Sequence, residues 1–328
     1  MKLKGLKNIV IVLPERLGDS IFHTPSIALI KKAHPEINID IIALSPLSAM
    51  VVENNPHVRN IYIEPGKEEL KRIASGYDAA IPVHPHARSK KQIEIMKIRT
   101  LRGTPKTTSR HQSGMAFSAM KNLLDVEALP GEEKYKLYPG KDNHDKISQL
   151  LAENDTSAEK DILIGCHIGC HSFTKRRLSF WRPMVHPKVW AFENFVALEA
   201  ELRKINPRFR LVLTGSKQEE MLGEKFKKVA PKAINLINKT SVLDLAALME
   251  SLTIFISSDT GAMHVACASN VGVIALFGPT SLENTGPYPM QPNYRVLQAP
   301  AINDIRVEEV LNTIVSHPAV IGHPENKK

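Results

Sequence analysis

Short, almost wholly apolar runs alternate along the chain with longer stretches in which apolar residues recur every three or four positions. "NIVIVL" (8–13) predicts a buried strand, "IFHTPSIALIKKAH" (21–34) a helix and "INIDIIAL" (37–44) the next strand, with "PERLGDS" (14–20) as the loop between. That order is a βαβ unit. The runs "VRNIYIE" and "YDAAIPVH", separated by the helical "KEELKRIAS", extend it, so the first half reads as a mostly parallel sheet with helices on its faces.

From about Leu129 to Lys160 the pattern turns polar and includes the charged helical stretch "HDKISQLLAENDTSAEKD", near whose end the domain boundary is expected, giving domains 1–158 and 159–328. The alternation then restarts. "ILIGCHIG", "FRLVLTG", "AINLI", "TIFISS" and "VGVIALFG" read as strands, with "FENFVALEAELRKI", "QEEMLGEKFKKVA", "SVLDLAALMESL" and "GAMHVACASN" as the helices between them. Two such α/β units in tandem predict two doubly wound, Rossmann-like domains facing a central cleft. In sheets of this kind ligands collect at the carboxyl ends of the strands.

Composition narrows the class. A chain of 328 residues is longer than one compact core usually grows, which agrees with two domains, and 43% hydrophobic with 23% charged residues describes a folded protein rather than a disordered one. Ile9 to Leu13 is too short for a signal peptide's apolar region, and no later run approaches a membrane span, so a cytoplasmic location is expected. Three cysteines make no disulfide framework. The net charge of +9 calls for an anionic partner, whereas aromatic residues at 5%, with no recognition-module signature, argue against nucleic acid.

The stretch "SSDTGAMHVACASN" (257–270) interrupts two apolar runs with small polar residues. Asp259, Thr260 and Gly261 fall at a strand-to-helix turn, where free amides and the helix dipole favour an anion. The alternative is that Asp259 or Thr260 caps the helix, and that His264 is a packed histidine.

"KTSVLDLAALMESLTIFISSDTGAMHVACASNVGVIALFGPTSLENTGPYP" resembles the signature segment of the bacterial heptosyltransferase family, glycosyltransferase family 9, including its LFGPT and GPY elements. "ERLGDSIFHTPSIALIKKAHP" is similar to the family's R-x-G-D and T-x-P segment, and "HPKVWAFENFVALEAELRK" to its K-x-W-x-x-E-x-F segment. The resemblance implies a GT-B fold, a donor such as ADP-heptose on the C-terminal domain, and a lipopolysaccharide inner-core precursor on the N-terminal domain. It further implies transfer with inversion and without a metal or other cofactor, at the cytoplasmic side of the inner membrane, where basic surface would make peripheral contact with acidic lipids.

Residue by residue, the resemblance makes Asp19 the base and Gly18 its clearance for the donor, although an Asp after a Gly at such a turn is otherwise a helix cap. Lys188 matches the lysine that meets phosphate oxygens. Asp259 would accept donor-sugar hydroxyls, the amides of Thr260 and Gly261 would hold the diphosphate, and His264 would support them. His167 and Gly169 match the family's loop near the phosphates, though Ile168 and Cys170 depart from it. Glu219, or else Glu220, would receive ribose hydroxyls, and Thr240 with Ser241 would lie along the adenine. Either pair would equally begin a helix.

Other clusters stay open. The basic insertion 175–187, with Lys175, Arg176, Arg177 and Arg182, suits phosphate clamping or an exposed loop equally. Cys166, His167, Cys170 and His171 have metal-ligand chemistry but not zinc-finger spacing, and no metal is expected. Arg88, Lys90 and Lys91, in the basic run 84–112, are the candidate acceptor-binding residues. A transferase using another nucleotide sugar, or a non-catalytic nucleotide-binding relative, is the alternative, while the absence of GxGxxG after the first strand argues against an oxidoreductase.

Overall fold

The computed structural model describes residues 3–83, 87–170 and 186–324. The chain forms two compact units, Met1–Tyr138 and Pro139–Lys328. In the first, β1 (Asn8–Leu13) leads through α1 (Leu17–Ile21) and α2 (Thr24–Ala33) to β2 (Asn38–Ala43). Then come α3 (Pro46–Val52), β3 (Asn60–Ile63), α4 (Lys67–Ala74), β4 (Ala79–Pro82), α5 (Ala87–Met96) and α6 (Gln112–Leu124). The strands pair in parallel in the order β3-β2-β1-β4, with Ile9 opposite both Ile39 and Ala79.

Both faces of this sheet are covered, which is why its strands are apolar throughout instead of alternating. Val10, Val12, Ile42 and Ala80 pack with Leu70 of α4 and with Ile93 and Met96 of α5. Asp40 is the buried exception at 1% exposure, and it is matched: Arg59 donates two bonds to its carboxylate at 2.9 Å each, and the Tyr77 hydroxyl a third at 2.5 Å. A buried carboxylate is tolerated when paired and hydrogen-bonded in this way.

The second unit opens with α7 (Lys141–Ala152), β5 (Ile162–His167), α8 (Phe192–Ile205) and β6 (Phe209–Thr214). It continues with α9 (Glu220–Val229), β7 (Ile234–Asn235), α10 (Val242–Ser251), β8 (Ile254–Ser258) and α11 (Gly261–Ala266). It closes with β9 (Gly272–Phe277), α12 (Leu282–Thr285), β10 (Tyr294–Gln298), α13 (Val307–Val315) and α14 (Pro318–Ile321). Its parallel sheet runs β10-β9-β8-β5-β6-β7. Ile164, Cys166, Ile256 and Ile274 form its core with Phe195 and Leu198 of α8, Phe226 of α9 and Val310 of α13.

Two features differ from the sequence expectation. The division falls at Tyr138/Pro139 rather than at 158/159, because the charged stretch 141–152 folds as α7 and packs on α10. Asp244 makes that joint, accepting from Asn143 Nδ2 at 2.8 Å and Lys146 Nζ at 2.5 Å while also completing the capping box with Ser241. Its partners are polar, so hydrophobic patterning gives no sign of them. Second, "PERLGDS" is not all loop: Leu17–Ile21 form the short helix α1, with the Phe22 amide donating to the Gly18 carbonyl at 3.1 Å.

Candidate active site

In each sheet the chain reverses its direction of winding beside the first strand laid down. Connections from β1 run to β2 and β3 on one side and then to β4 on the other, and those from β5 run to β6 and β7 before β8 pairs on its opposite edge. The crevice beyond the strand ends at such a reversal is where open parallel sheets bind ligands. Within each unit the predicted residues follow those strand ends. Asp19 follows β1, His167 ends β5, Gly169 lies just beyond it, and Asp259, Thr260 and Gly261 follow β8.

In the first unit Asp19 is partly exposed in the first turn of α1. It does not cap: the N-cap is Arg16, and no side chain makes a capping bond. Its carboxylate makes no hydrogen bond or ion pair among the described residues, leaving both oxygens open to a proton donor. Gly18 is a helical residue of the same turn. The approach to this turn is braced by Arg88, whose guanidinium lies 2.7 Å from Glu15 and 3.3 Å from Glu64. These carboxylates raise the Arg88 pKa, its bond to Glu15 foremost. Lys90 and Lys91 sit further along α5, exposed, with Lys90 3.8 Å from Glu94. Lys90 also borders a cavity of about 620 Å³ together with Arg99 and Arg102. The structure thus gives Arg88 a bracing role and leaves the two lysines in solvent.

In the second unit the Lys188 ammonium lies 2.6 Å from Asp259 Oδ2 and 3.5 Å from the Asp259 carbonyl oxygen. Asp259's side chain is 9% exposed and Lys188's 37%, so the lysine keeps donors free for a further partner. Neither alternative cap at α11 exists. Thr260 is the N-cap, but its hydroxyl lies 3.0 Å from Ser257 Oγ and no side chain bonds the helix amides. Charge balance explains the lysine. An aspartate beside amides that attract an anion would repel that anion, and Lys188 offsets the repulsion.

His167 lies with Nδ1 3.2 Å from Thr214 Oγ1, and that hydroxyl donates to the Cys166 carbonyl at 3.3 Å. Nδ1 therefore carries the proton, and Nε2 presents a lone pair. Burial lowers the His167 pKa to about 4, so the ring is neutral and offers a ligand an acceptor for a hydroxyl rather than a cation for a phosphate. Gly169 has a packing reason to be glycine, since a Cβ there would lie 2.2 Å from Glu219 Cγ. Glu219 is 2% exposed, and its Oε2 accepts from the Ser216 amide at 2.8 Å and hydroxyl at 2.7 Å, capping the 3₁₀ turn Lys217–Glu219. Glu220 lies 3.2 Å from Asn238 Nδ2. Thr240 is partly exposed and precedes Ser241, the N-cap of α10. His264 is packed inside, 3% exposed.

Of the Cys/His cluster, Cys166, His167 and Cys170 are among the described residues. Cys166 is fully buried in β5, and burial pushes its thiol well up. Among the described residues no three metal-ligating side chains converge. His171 and the basic residues Lys175, Arg176, Arg177 and Arg182 lie outside the described residues. Among those described, no helix is long and apolar enough to cross a membrane.

Comparison with known proteins gives the chain's relatives. Residues 182–313 match glycosyltransferase family 9 (heptosyltransferase). Lipooligosaccharide heptosyltransferase 2 of Haemophilus influenzae is 24% identical over 85% of this chain and 86% of its own. The crystal structure of a glycosyl transferase family 9 protein from Veillonella parvula covers 95% of this chain and 97% of its own at 21% identity and a TM-score of 0.77. The E. coli ADP-heptose LPS heptosyltransferase II covers 94% and 97% at 19% identity and TM-score 0.71. The E. coli heptosyltransferase WaaC with ADP covers 94% and 98% at 16% and 0.69. The fold is accordingly GT-B, with two Rossmann-like domains. By the family 9 match over residues 182–313 and by these relatives, the chain is similar to the heptosyltransferases of glycosyltransferase family 9.

Proposed function

We propose that this chain transfers heptose from ADP-heptose to a lipopolysaccharide inner-core acceptor, with inversion at the anomeric carbon. The acceptor hydroxyl attacks that carbon, its proton passes to Asp19, and the carbon–oxygen bond to the diphosphate breaks with ADP carrying the electron pair away. The Lys188–Asp259 pair carries the reading, since it sets a partly exposed cation beside the uncapped amides of α11. In the reaction proposed, the Lys188 ammonium and the Thr260 and Gly261 amides meet the diphosphate, Asp259 Oδ1 accepts a sugar hydroxyl, and His167 Nε2 accepts another. Positive charge on the leaving group then comes from the protein rather than from a metal.

The names of the relatives support this choice of donor and acceptor. One is a lipooligosaccharide heptosyltransferase, and another was solved with ADP. Lys90 and Lys91, with the net charge of +9, suit an anionic acceptor held at an acidic lipid surface.

Calorimetry with ADP, UDP and GDP tests the donor, and tightest binding of ADP is expected. Asp19→Asn should keep that affinity while lowering turnover of ADP-heptose by about 10²–10⁴-fold. Preference for UDP or GDP would assign another nucleotide sugar. Nucleotide binding without turnover on any truncated core acceptor would leave a non-catalytic protein.

A further inference from the structure

Lys188 belongs to neither helix nor strand, yet the segment that carries it is braced on both sides. Downstream, the Trp190 indole is buried at 1% exposure and donates to the Ile305 carbonyl at 2.9 Å, and the Ala191 amide donates to Asn303 Oδ1 at 2.7 Å. The Pro187 carbonyl lies so near Gly278 that a Cβ there would meet it at 3.0 Å. Upstream, His186 is 8% exposed and its Nδ1 accepts the Lys188 amide at 3.1 Å. Cys170, 5% exposed, places its sulfur 3.4 Å from that Nδ1 and 3.5 Å from Nε2.

This arrangement orders the imidazole. An Nδ1 that accepts a backbone N–H keeps its lone pair, so the neutral ring carries its proton on Nε2. Nδ1 thereby takes the role that an Asx side chain plays when it accepts from the amide two residues on. Lysine is a long side chain with much rotamer freedom to lose. Fixing its backbone limits the volume its ammonium searches before it meets Asp259 and a ligand.

We propose that His186 is a positioning residue for Lys188, with Cys170 as the wedge that holds the imidazole in its accepting orientation. The proposal rests on reading Lys188 as the group that meets the donor's diphosphate. Neither residue touches substrate. Their effect passes through the Lys188 amide to the ammonium at Asp259.

The test compares His186→Asn, which keeps an acceptor two residues before Lys188, with His186→Phe, which keeps a ring and removes the acceptor. His186→Phe is expected to lower kcat/KM for the nucleotide sugar by about tenfold to a hundredfold, the scale of a small misplacement of a catalytic group. His186→Asn should recover to within about threefold of the parent, and Cys170→Ala should fall between. In a Lys188→Ala background His186→Phe should add nothing, because what it positions is gone.

Hydrogen exchange of the Lys188 amide supplies a readout independent of turnover. It should be slow in the parent and in His186→Asn, and at least about tenfold faster in His186→Phe, with matching melting temperatures. Equal exchange in all three, equal kcat/KM for the Asn and Phe variants, or a Phe effect that persists without Lys188 would each overturn the proposal. A parent protein that bound no nucleotide would instead sink the donor-site reading, and the exchange experiment would still judge His186.

Discussion

Lys188 Nζ and Asp259 Oδ2 lie 2.6 Å apart although 71 residues separate them in the chain. The pair joins the turn before α8 to the turn after β8, at the one place where the winding of the second sheet reverses. With Asp259 largely buried and Lys188 partly exposed, the contact gains more than an exposed surface pair would, and removing either partner leaves the other in an altered field.

Lys188→Ala should therefore do two things at once. It removes the cation proposed to meet the leaving diphosphate, and it leaves Asp259 repelling that group. We expect kcat to fall by about 10²–10³-fold, with weaker ADP binding. Adding Asp259→Asn to Lys188→Ala should restore part of the ADP affinity. Calorimetry on the single and double variants decides this, and identical ADP affinities for the two would contradict the charge-balance account.

Turnover should survive chelation. If Lys188 and the α11 amides supply the positive field, an excess of EDTA leaves the rate within about twofold of the untreated enzyme. A large loss restored by a divalent ion would place a metal in the reaction.

Gly169→Ala reports on packing rather than on ligand clearance. The new methyl would meet a Glu219 side chain that is already committed to Ser216. A cost of about 1–3 kcal/mol is expected from chemical denaturation. Glu219→Ala in the same chain should relieve part of it, giving a coupling of about 1 kcal/mol. Additive effects would mean that the two residues do not touch.

His167 predicts an acid weakness. Its pKa falls from an ordinary 6.5 to about 4 through burial, so the unfolded chain binds a proton that the folded chain refuses. The group's contribution to stability is fully present above about pH 6.5 and is lost as pH falls from there toward 4. His167→Asn, which keeps a donor for Thr214, should melt with a shallower pH dependence over that window. Thermal melts at pH 7.5 and pH 5 compare the slopes, and equal slopes would refute it.

What the sequence determined by itself was the periodic part. Apolar runs such as 8–13, 37–44 and 254–258 could only be strands buried on both faces, and the amphipathic stretches between them made the two parallel sheets legible. Small polar residues at 259–261 marked a strand-to-helix turn for the same local reason. Helix α6 is less legible, although Phe117, Met120, Leu123 and Leu124 carry helical spacing, because it follows a basic run that has the character of surface. Strand β10 is faint in the sequence too, being short and only partly buried.

The tertiary structure alone decided which polar groups meet. The fold sets Glu15 and Glu64 against Arg88, and Ser216 and Gly169 against Glu219, contacts that no local pattern displays. The division between the units moved because Asp244 recruits Asn143 and Lys146 from about a hundred residues upstream. Hydrophobic periodicity is a property of neighbours along the chain, and a sequence displays it directly. Pairing between charges is a property of strand order and turn geometry, so it exists only once the sheets have formed.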